Sequence, residues 1–412
     1  MGSKRPQSRH HIQPAPQRPL RILVVGAGVG GISIARGLLR DGHEVTVFEQ
    51  RPEVRAGGGA VTIWSNGETV LRQLGVDMGG AGQELSTVRV MTSTGRSMTT
   101  LDVTAIVSRM GAPVRMVPRR ILLARLLEGF PVERIRCHTR VVSVTDGVRG
   151  VRLHFADGGC ADGDLAVGAD GLHSRVREIV GAPHAEPTGW CSWQGLATLP
   201  DGADRHVAFV IVGDHGNLGL WPADETEVQW WFDLPWSPDF VRPAHPIEVI
   251  RTNFTGWSGL VDELLATLTD ADLARSPYPH FRHPIPGPGH GAVTLLGDAA
   301  HTMPPTLAQG TNQALLDTMV LCKAISGANG DLSEALRWYE KTRQRRVAAV
   351  SRVASLQVSH GEAVLRPAAL VPDRVMTWML ATFLRAVSHR RLAAGISRDL
   401  ASRPADSDEH AR

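Results

Sequence analysis

One stretch near the start of the chain, RILVVGAGVGGISIARGLLRDGHEVTVFEQ at 21–50, restricts the fold more than any other feature. Arg21 to Val25 is an apolar, largely β-branched run, and Gly26, Gly28 and Gly31 follow it directly as GxGxxG. In that pattern the first glycine permits a tight turn, the second lets the backbone approach a pyrophosphate, and the third allows close packing of the next helix on the sheet. A helix from about Gly30 to Arg40 then presents N–H groups and the positive end of its dipole to the phosphates. After a turn at Asp41 to His43, the strand Glu44 to Phe48 delivers Glu49 to where an adenosine ribose offers its hydroxyls. Strand before, helix after and an acid at the end of the second strand describe the dinucleotide-binding half of an α/β fold. The acid alone does not separate a nicotinamide from a flavin dinucleotide, because both carry that ribose.

Two further segments narrow the choice. AVTLLGDAAHTMPPTLAQGTNQALLD at 292–317 reads as a strand, Gly297-Asp298, a proline-rich loop and a helix beginning near Gly310; GADGLHSRVR lies between, at 168–177. With GAGVGG at 26–31, these motifs stand in the order found in the class A flavoprotein monooxygenases, the family of para-hydroxybenzoate hydroxylase, which the chain resembles from about residue 20 to 345. The resemblance implies an α/β fold with a Rossmann-type FAD-binding domain, an inserted mixed-sheet substrate domain and a C-terminal helical segment. On that plan, 20–183 and 286–330 form the FAD-binding part and 184–285 the substrate sheet, with part of 73–100 contributing to the substrate side. Residues 331–400 supply the C-terminal helices, 1–19 a disordered leader and 401–412 a disordered tail.

The resemblance also implies site residues. Gly26, Gly28, Gly30, Gly31, Glu49, Gln50, Arg51, Gly59 and Val142 belong to the cofactor-binding set, with FAD held non-covalently. Asp298 would hydrogen-bond a ribityl hydroxyl. The loop Pro304 to Gly310, including Pro305, would run beside the isoalloxazine ring, and backbone N–H groups near Thr311 and Asn312 would face its N1 and O2 edge. Reduced flavin gathers negative charge there, and a helix N-terminus suits it. Asp170 would help hold FAD and the passing nicotinamide cofactor, while Arg177 braces the middle motif. Arg119 opens RRILLARL and matches the family's Arg-x-x-Leu-x-x-x-Leu helix start near FAD. For Arg51, Arg119, Asp170 and Arg177 the alternative is a surface ion pair. Two positions depart from the family pattern: Ala308-Gln309-Gly310 stands where Gly-x-Gly is usual, and the stretch Gly57 to Asn66 has serine where proline is usual.

Residues 184–285 hold seven of the ten tryptophans, on runs that read as strands: His206 to Val212, Asn217 to Trp221 and Glu225 to Asp233. Alternation puts Trp230 and Trp231 on opposite faces, so at most one faces a cavity. Trp193, Trp221, Trp231 and Pro304 are the candidates for its lining, with plain core packing as the alternative for each tryptophan. An aromatic-rich sheet fits a large, flat, apolar substrate, aromatic, polycyclic or polyene. Helices are expected over Leu332 to Gln357 and Arg374 to His389; the apolar run Val375 to Leu384 ends at Arg385, well short of a membrane span. That helix packs against the catalytic domain or closes the cavity, with membrane-surface association as the alternative.

Composition sets limits. The formal charge of +3 over 412 residues, with scattered arginines, gives no nucleic-acid footprint. Cys137, Cys160, Cys191 and Cys322 lack metal spacing, and the His10-His11 pair has no third ligand, so no metal is expected. Without a signal peptide, buried thiols in a reduced cytoplasm and a monomer or homodimer are expected. The family's chemistry implies reduction of FAD by NADPH or NADH, reaction with O2 to a flavin C4a-hydroperoxide, and oxygen transfer to an electron-rich carbon. No side chain is assigned as catalyst; His301 is read as a structural hydrogen-bonding residue. Aromatic hydroxylation, in secondary metabolism or aromatic degradation, leads over epoxidation and Baeyer–Villiger insertion. A flavin-dependent halogenase is disfavoured because no lysine occurs between residues 5 and 322. A non-oxygenating FAD-binding protein that shields an intermediate stays as an alternative.

Overall fold

The computed structural model describes residues 18–147, 150–201, 203–284, 289–328, 331–365 and 367–388, without the side chains of 356–368. The His10-His11 pair, nearly all of the expected leader and the expected tail lie outside the described residues.

The first motif builds the centre of a five-stranded parallel sheet. Its order is Val293–Leu295, Leu165–Gly168, Arg21–Val25, Glu44–Phe48 and Ile135–Arg136. Both faces are covered, which is why Ile22 to Val25 is apolar without interruption. Ile22 and Val24 point to one core, shared with Ile32, Ile34 and Leu38 of the helix Val29–Arg40 and with Leu315 and Met319 of the helix Gly310–Ser326. Leu23 and Val25 point to the other, against Val141, Leu153 and Phe155 of a three-stranded antiparallel sheet. The carboxyl ends of the central strands thus open on a single crevice, where ligands bind in folds of this kind.

A seven-stranded mixed sheet forms the second layer, ordered Tyr278–Arg282, Glu186–Thr198, Glu227–Pro235, Gly216–Pro222, Val207–Gly213, Thr87–Thr92 and Ser97–Asp102. Thr87–Thr92 joins in parallel to Val207–Gly213, so a segment from the first third of the chain completes this sheet. The helices Pro246–Phe254 and Gly259–Thr267 cover its outer face through Ile250, Phe254, Leu264 and Leu265. Strand alternation divides the tryptophans: Trp230 packs with Phe232 in the outer core, whereas Trp231 packs with Trp221 on the inner face.

The C-terminal helices span Leu332–Leu365 and Asp373–Val387. Ala381 and Leu384 pack into the inner-face cluster with Val103, Ile106 and Trp221, and Asp373 accepts hydrogen bonds from Thr99 Oγ1 and the Thr100 N–H. Val375, Trp378 and Met379 are exposed on the opposite side. Among the described residues no helix is long and apolar enough to cross a membrane, and no group of His, Cys, Asp and Glu could hold a metal.

Candidate active site

The glycine turn shows which of its features the protein itself requires. Gly26 has φ +103°, and a Cβ there would come within 2.5 Å of the Ala169 carbonyl oxygen. At Gly31 a Cβ would meet the Gly26 oxygen at 1.9 Å, and at Gly30 it would meet Leu296 at 2.8 Å. These glycines are explained by the packing of turn, helix and sheet. Gly28 is not: it caps the helix with extended backbone, and a Cβ there would meet nothing within 4 Å. A position kept bare without protein crowding is the cradle a pyrophosphate requires.

Glu49 stands beside this cradle, accepting the Ala27 N–H at 3.0 Å and the Arg51 N–H at 2.9 Å. Its carboxylate therefore shapes the turn. Gln50 and Arg51 are both exposed. Val142 accepts from Arg175 Nε at 3.2 Å through its carbonyl oxygen.

At the other end of the crevice, Asp298 is exposed at the first position of the short helix Asp298–His301. Arg119 follows the strand Arg115–Pro118, and its N–H donates to the Gly59 carbonyl at 3.0 Å. Burial pushes the Arg119 guanidinium's pKa down, and the Asp298 carboxylate opposes the shift. Its Nε is buried with no partner among the described residues. An orphaned guanidinium donor, an exposed carboxylate and a bare glycine turn suit the pyrophosphate and hydroxyls of FAD.

The loop between Asp298 and the long helix holds a strained residue. Ala308 takes φ +48° and ψ +38°, the left-handed region that glycine enters freely. Asn312 anchors this conformation: its Nδ2 donates to the Ala308 and Thr62 carbonyls at 2.8 and 2.9 Å, and its Oδ1 accepts the Trp64 N–H at 3.0 Å. The Asn312 side chain is thus a clasp between two loops, whereas the expectation at the flavin edge concerns the backbone N–H groups near Thr311 and Asn312. Thr311 is half-buried, Pro305 exposed and Pro304 buried. Backbone N–H groups of the first helical turn precede the first ladder bond, from Gln313 to Gln309 at 2.8 Å.

Two residues of the middle motif are structural in their contacts. Asp170 accepts from Ser174 Oγ and from the N–H groups of Arg175 and Val176, so its carboxylate caps the helix Arg175–Ile179. Burial raises its pKa despite these bonds. Arg177 is buried and donates to the carbonyls of Pro183, Ala299 and Ala300, which ties the middle motif to the last one.

Beneath the long helix lies a buried network centred on Asp317, a residue that sequence reasoning did not single out. Asp317 accepts the Gly297 N–H at 2.9 Å and bonds His301 Nε2 and Arg343 Nε at 2.5 Å each. Burial alone would raise its pKa, but His301 and Arg343 outweigh burial and hold the carboxyl below its ordinary value. Arg343 also donates to Gln313, Gln313 Nε2 donates to Gln309 Oε1, and Asn66 Nδ2 donates to the same oxygen. Asp317 ends the third motif, which was a weak sequence signal; nothing marked Arg343.

The inner sheet face approaches the loop at Gln229, which accepts the Ala60 N–H at 2.5 Å beside Gly59. Trp231 lies over Gly219, where a Cβ would come within 1.9 Å of the indole, and packs against Trp221 with centroids 5.9 Å apart and ring planes tilted by 49°. Trp64 and Ala308 belong to the same cluster. Trp193 does not: its pairing with Phe232 places it on the outer face, against Phe240 and under the Arg242 guanidinium. Its expected place in the cavity is corrected accordingly.

Comparison with known proteins agrees with this geometry. Residues 20–354 match the FAD binding domain family. The chain is 30% identical over 332 residues to the aurachin C monooxygenase/isomerase of Stigmatella aurantiaca, covering 79% of this chain and 86% of that one. It is 33% identical over 353 residues to a 3-amino-4-hydroxybenzoate 2-monooxygenase of Streptomyces platensis, with 81% and 86% covered. The crystal structure of Klebsiella pneumoniae HpxO complexed with FAD and uric acid superposes with a TM-score of 0.79 at 26% identity, over 89% of this chain and 97% of that one. The turn around Gly28, the Arg119–Asp298 pair and the match over residues 20–354 together make the chain a member of the class A FAD-dependent monooxygenase family.

Proposed function

We propose that this enzyme uses NADPH or NADH and O2 to place one oxygen atom on a flat, largely apolar aromatic or heteroaromatic molecule held against the inner face of the seven-stranded sheet. The carrying observation is the cluster of Trp64, Trp221 and Trp231, which lies beside the loop that contains Ala308. Aromatic faces of this kind offer stacking contact to a planar ring and exclude water from it. The Streptomyces relative is named for an aminohydroxybenzoate, and the Klebsiella structure holds uric acid; both are small planar rings.

When bound, FAD supplies the electron transfer and the reaction with O2. The chain's residues do the rest. Gly28 admits the pyrophosphate, Asp298 takes a ribityl hydroxyl, and the N-terminus of Gly310–Ser326 offers positive potential to the flavin's anionic edge. Gln229 and Asn312 tie the Gly59 to Trp64 segment to the sheet and to the helix, which fixes the spacing between substrate and flavin.

The test is substrate-dependent NAD(P)H oxidation and O2 uptake across phenols, polycyclic aromatics and polyenes, with labelled dioxygen. The expected product gains one labelled oxygen atom. An unlabelled product formed while NAD(P)H is consumed would move the enzyme from monooxygenase to oxidase or reductase.

A further inference from the structure

The inner face of the seven-stranded sheet changes character along its strands. Cross-strand register sets Leu196, Gln229 and Trp221 in one row, Gln194, Trp231 and Gly219 in the next, and Ser192, Asp233 and Asn217 in the third. Successive rows on one face lie about 7 Å apart. The third row is entirely polar, and His280 from the neighbouring edge strand extends it. Ser192 Oγ lies 2.5 Å from Asp233 Oδ1 and 2.6 Å from His280 Nε2, with all three residues buried.

A polar row inside a sheet interface is costly unless its hydrogen bonds are complete. Here they are not. Asn217 Oδ1 and His280 Nδ1 are both buried and have no partner among the described residues. The row therefore holds open hydrogen-bonding capacity one step along the strand from the Trp231 indole.

Resting on the reading that this face binds the substrate, we propose that Asn217, Asp233, Ser192 and His280 form the subsite for a neutral polar edge of the aromatic substrate. The matching chemistry is a phenol, lactam or amide whose O–H or N–H is given to this row while its ring lies on Trp231. Charge argues for a neutral edge: burial lifts the Asp233 carboxyl to about 7 and lowers the His280 imidazole to about 4. Near neutral pH the cluster thus offers no cation to a carboxylate.

The test uses the FAD-loaded enzyme and matched aromatic pairs: 2-naphthol against 2-methoxynaphthalene, and 2-quinolinone against its N-methyl derivative, with 2-naphthoate as the anionic probe. Binding is read by quenching of tryptophan fluorescence, which does not depend on turnover. A site with an unpaired buried acceptor should prefer the donor-bearing member of each pair by about tenfold. Asn217→Leu and Asp233→Asn should each shrink that ratio at least threefold or so on the same grounds, with FAD stoichiometry as the control for folding. Asn217→Ser, which keeps a polar group, should retain part of the preference. Equal affinity within both pairs, tighter binding of 2-naphthoate, no binding by either donor-bearing compound, or an unchanged ratio in both variants would overturn the subsite. The monooxygenase reading is judged separately, by bound FAD and by label from dioxygen in the same preparation.

Discussion

His301 Nε2 and Asp317 Oδ2 lie 2.5 Å apart in a wholly buried pair, and Arg343 closes on the other carboxylate oxygen at the same distance. The three groups join the last motif, the long helix behind it and the C-terminal helix Leu332–Leu365. Asp317→Ala leaves the Arg343 charge buried without its carboxylate, a loss of about 3–5 kcal/mol. Chemical denaturation of the FAD-loaded protein measures it; a change below about 1 kcal/mol would show that Gln313 alone satisfies Arg343. The pH sign follows from the depressed Asp317 pKa. Its stabilisation is present above the ordinary carboxyl value of 3.8 and is lost only as pH falls below that, through the folded-state value.

Asp298→Ala should weaken FAD retention by about 1.5–3 kcal/mol, the worth of a hydrogen bond to a charged group. Gly28→Val should act more severely, because it fills the one part of the turn that the protein leaves open. Equilibrium dialysis of FAD against each variant reads the effect, and parental affinity in both would remove the cofactor assignment.

Asp233 and His280 impose opposite pH slopes on stability. Burial raises the folded Asp233 pKa from 3.8 to about 7, so its contribution is full below 3.8 and is lost as pH rises through 7. Burial lowers His280 from 6.5 to about 4, so its contribution is full above 6.5 and is lost as pH falls through 4. Asp233→Asn removes only the first slope. The variant should gain stability relative to the parent between pH 5 and pH 8, by about 1–4 kcal/mol, in denaturant titrations at the two pH values. A constant difference between the two proteins would contradict the raised carboxyl.

Ala308 occupies left-handed backbone at a cost of about 1 kcal/mol. Ala308→Gly should relieve that strain, offset in part by unfolded-chain entropy, and leave stability within about 1 kcal/mol of the parent. Ala308→Val places a β-branched side chain where such residues are outliers and should cost about 2 kcal/mol or more. Thermal unfolding of the three proteins gives the order, and a valine variant as stable as the parent would mean that the loop has changed conformation.

Features whose causes are local in sequence were legible before any coordinates. The turn at Gly26 to Gly31, the helix after Arg119 and the departure at Ala308 each depend on a few neighbouring residues. The division of Trp230 from Trp231 was also legible, because alternation along one strand needs no partner. Trp193 was not, because its face is set by register against Phe232 on a strand far along the chain. Asp317 and Arg343 escaped for a similar reason: they sit on different helices, and neither helix's periodicity distinguishes a buried ion pair from a surface charge. Asp170 carries the family motif faithfully, yet its carboxylate faces its own helix start, a distinction that spacing does not encode.

The edge strand Val293–Leu295 pairs with Leu165–Gly168 on the far side of the intervening sheet domain, and Tyr339 then bonds the Leu295 carbonyl. During synthesis, the ribosome must therefore finish the whole tryptophan-rich insertion before the nucleotide sheet gains its last strand, Asp298 or the helix at Gly310. Such non-local pairing is slow to form and leaves a strand edge open in the meantime. A nascent chain stopped near residue 283 would carry the glycine turn without Asp298 or the helix Gly310–Ser326, so firm retention of the cofactor awaits synthesis of the third motif.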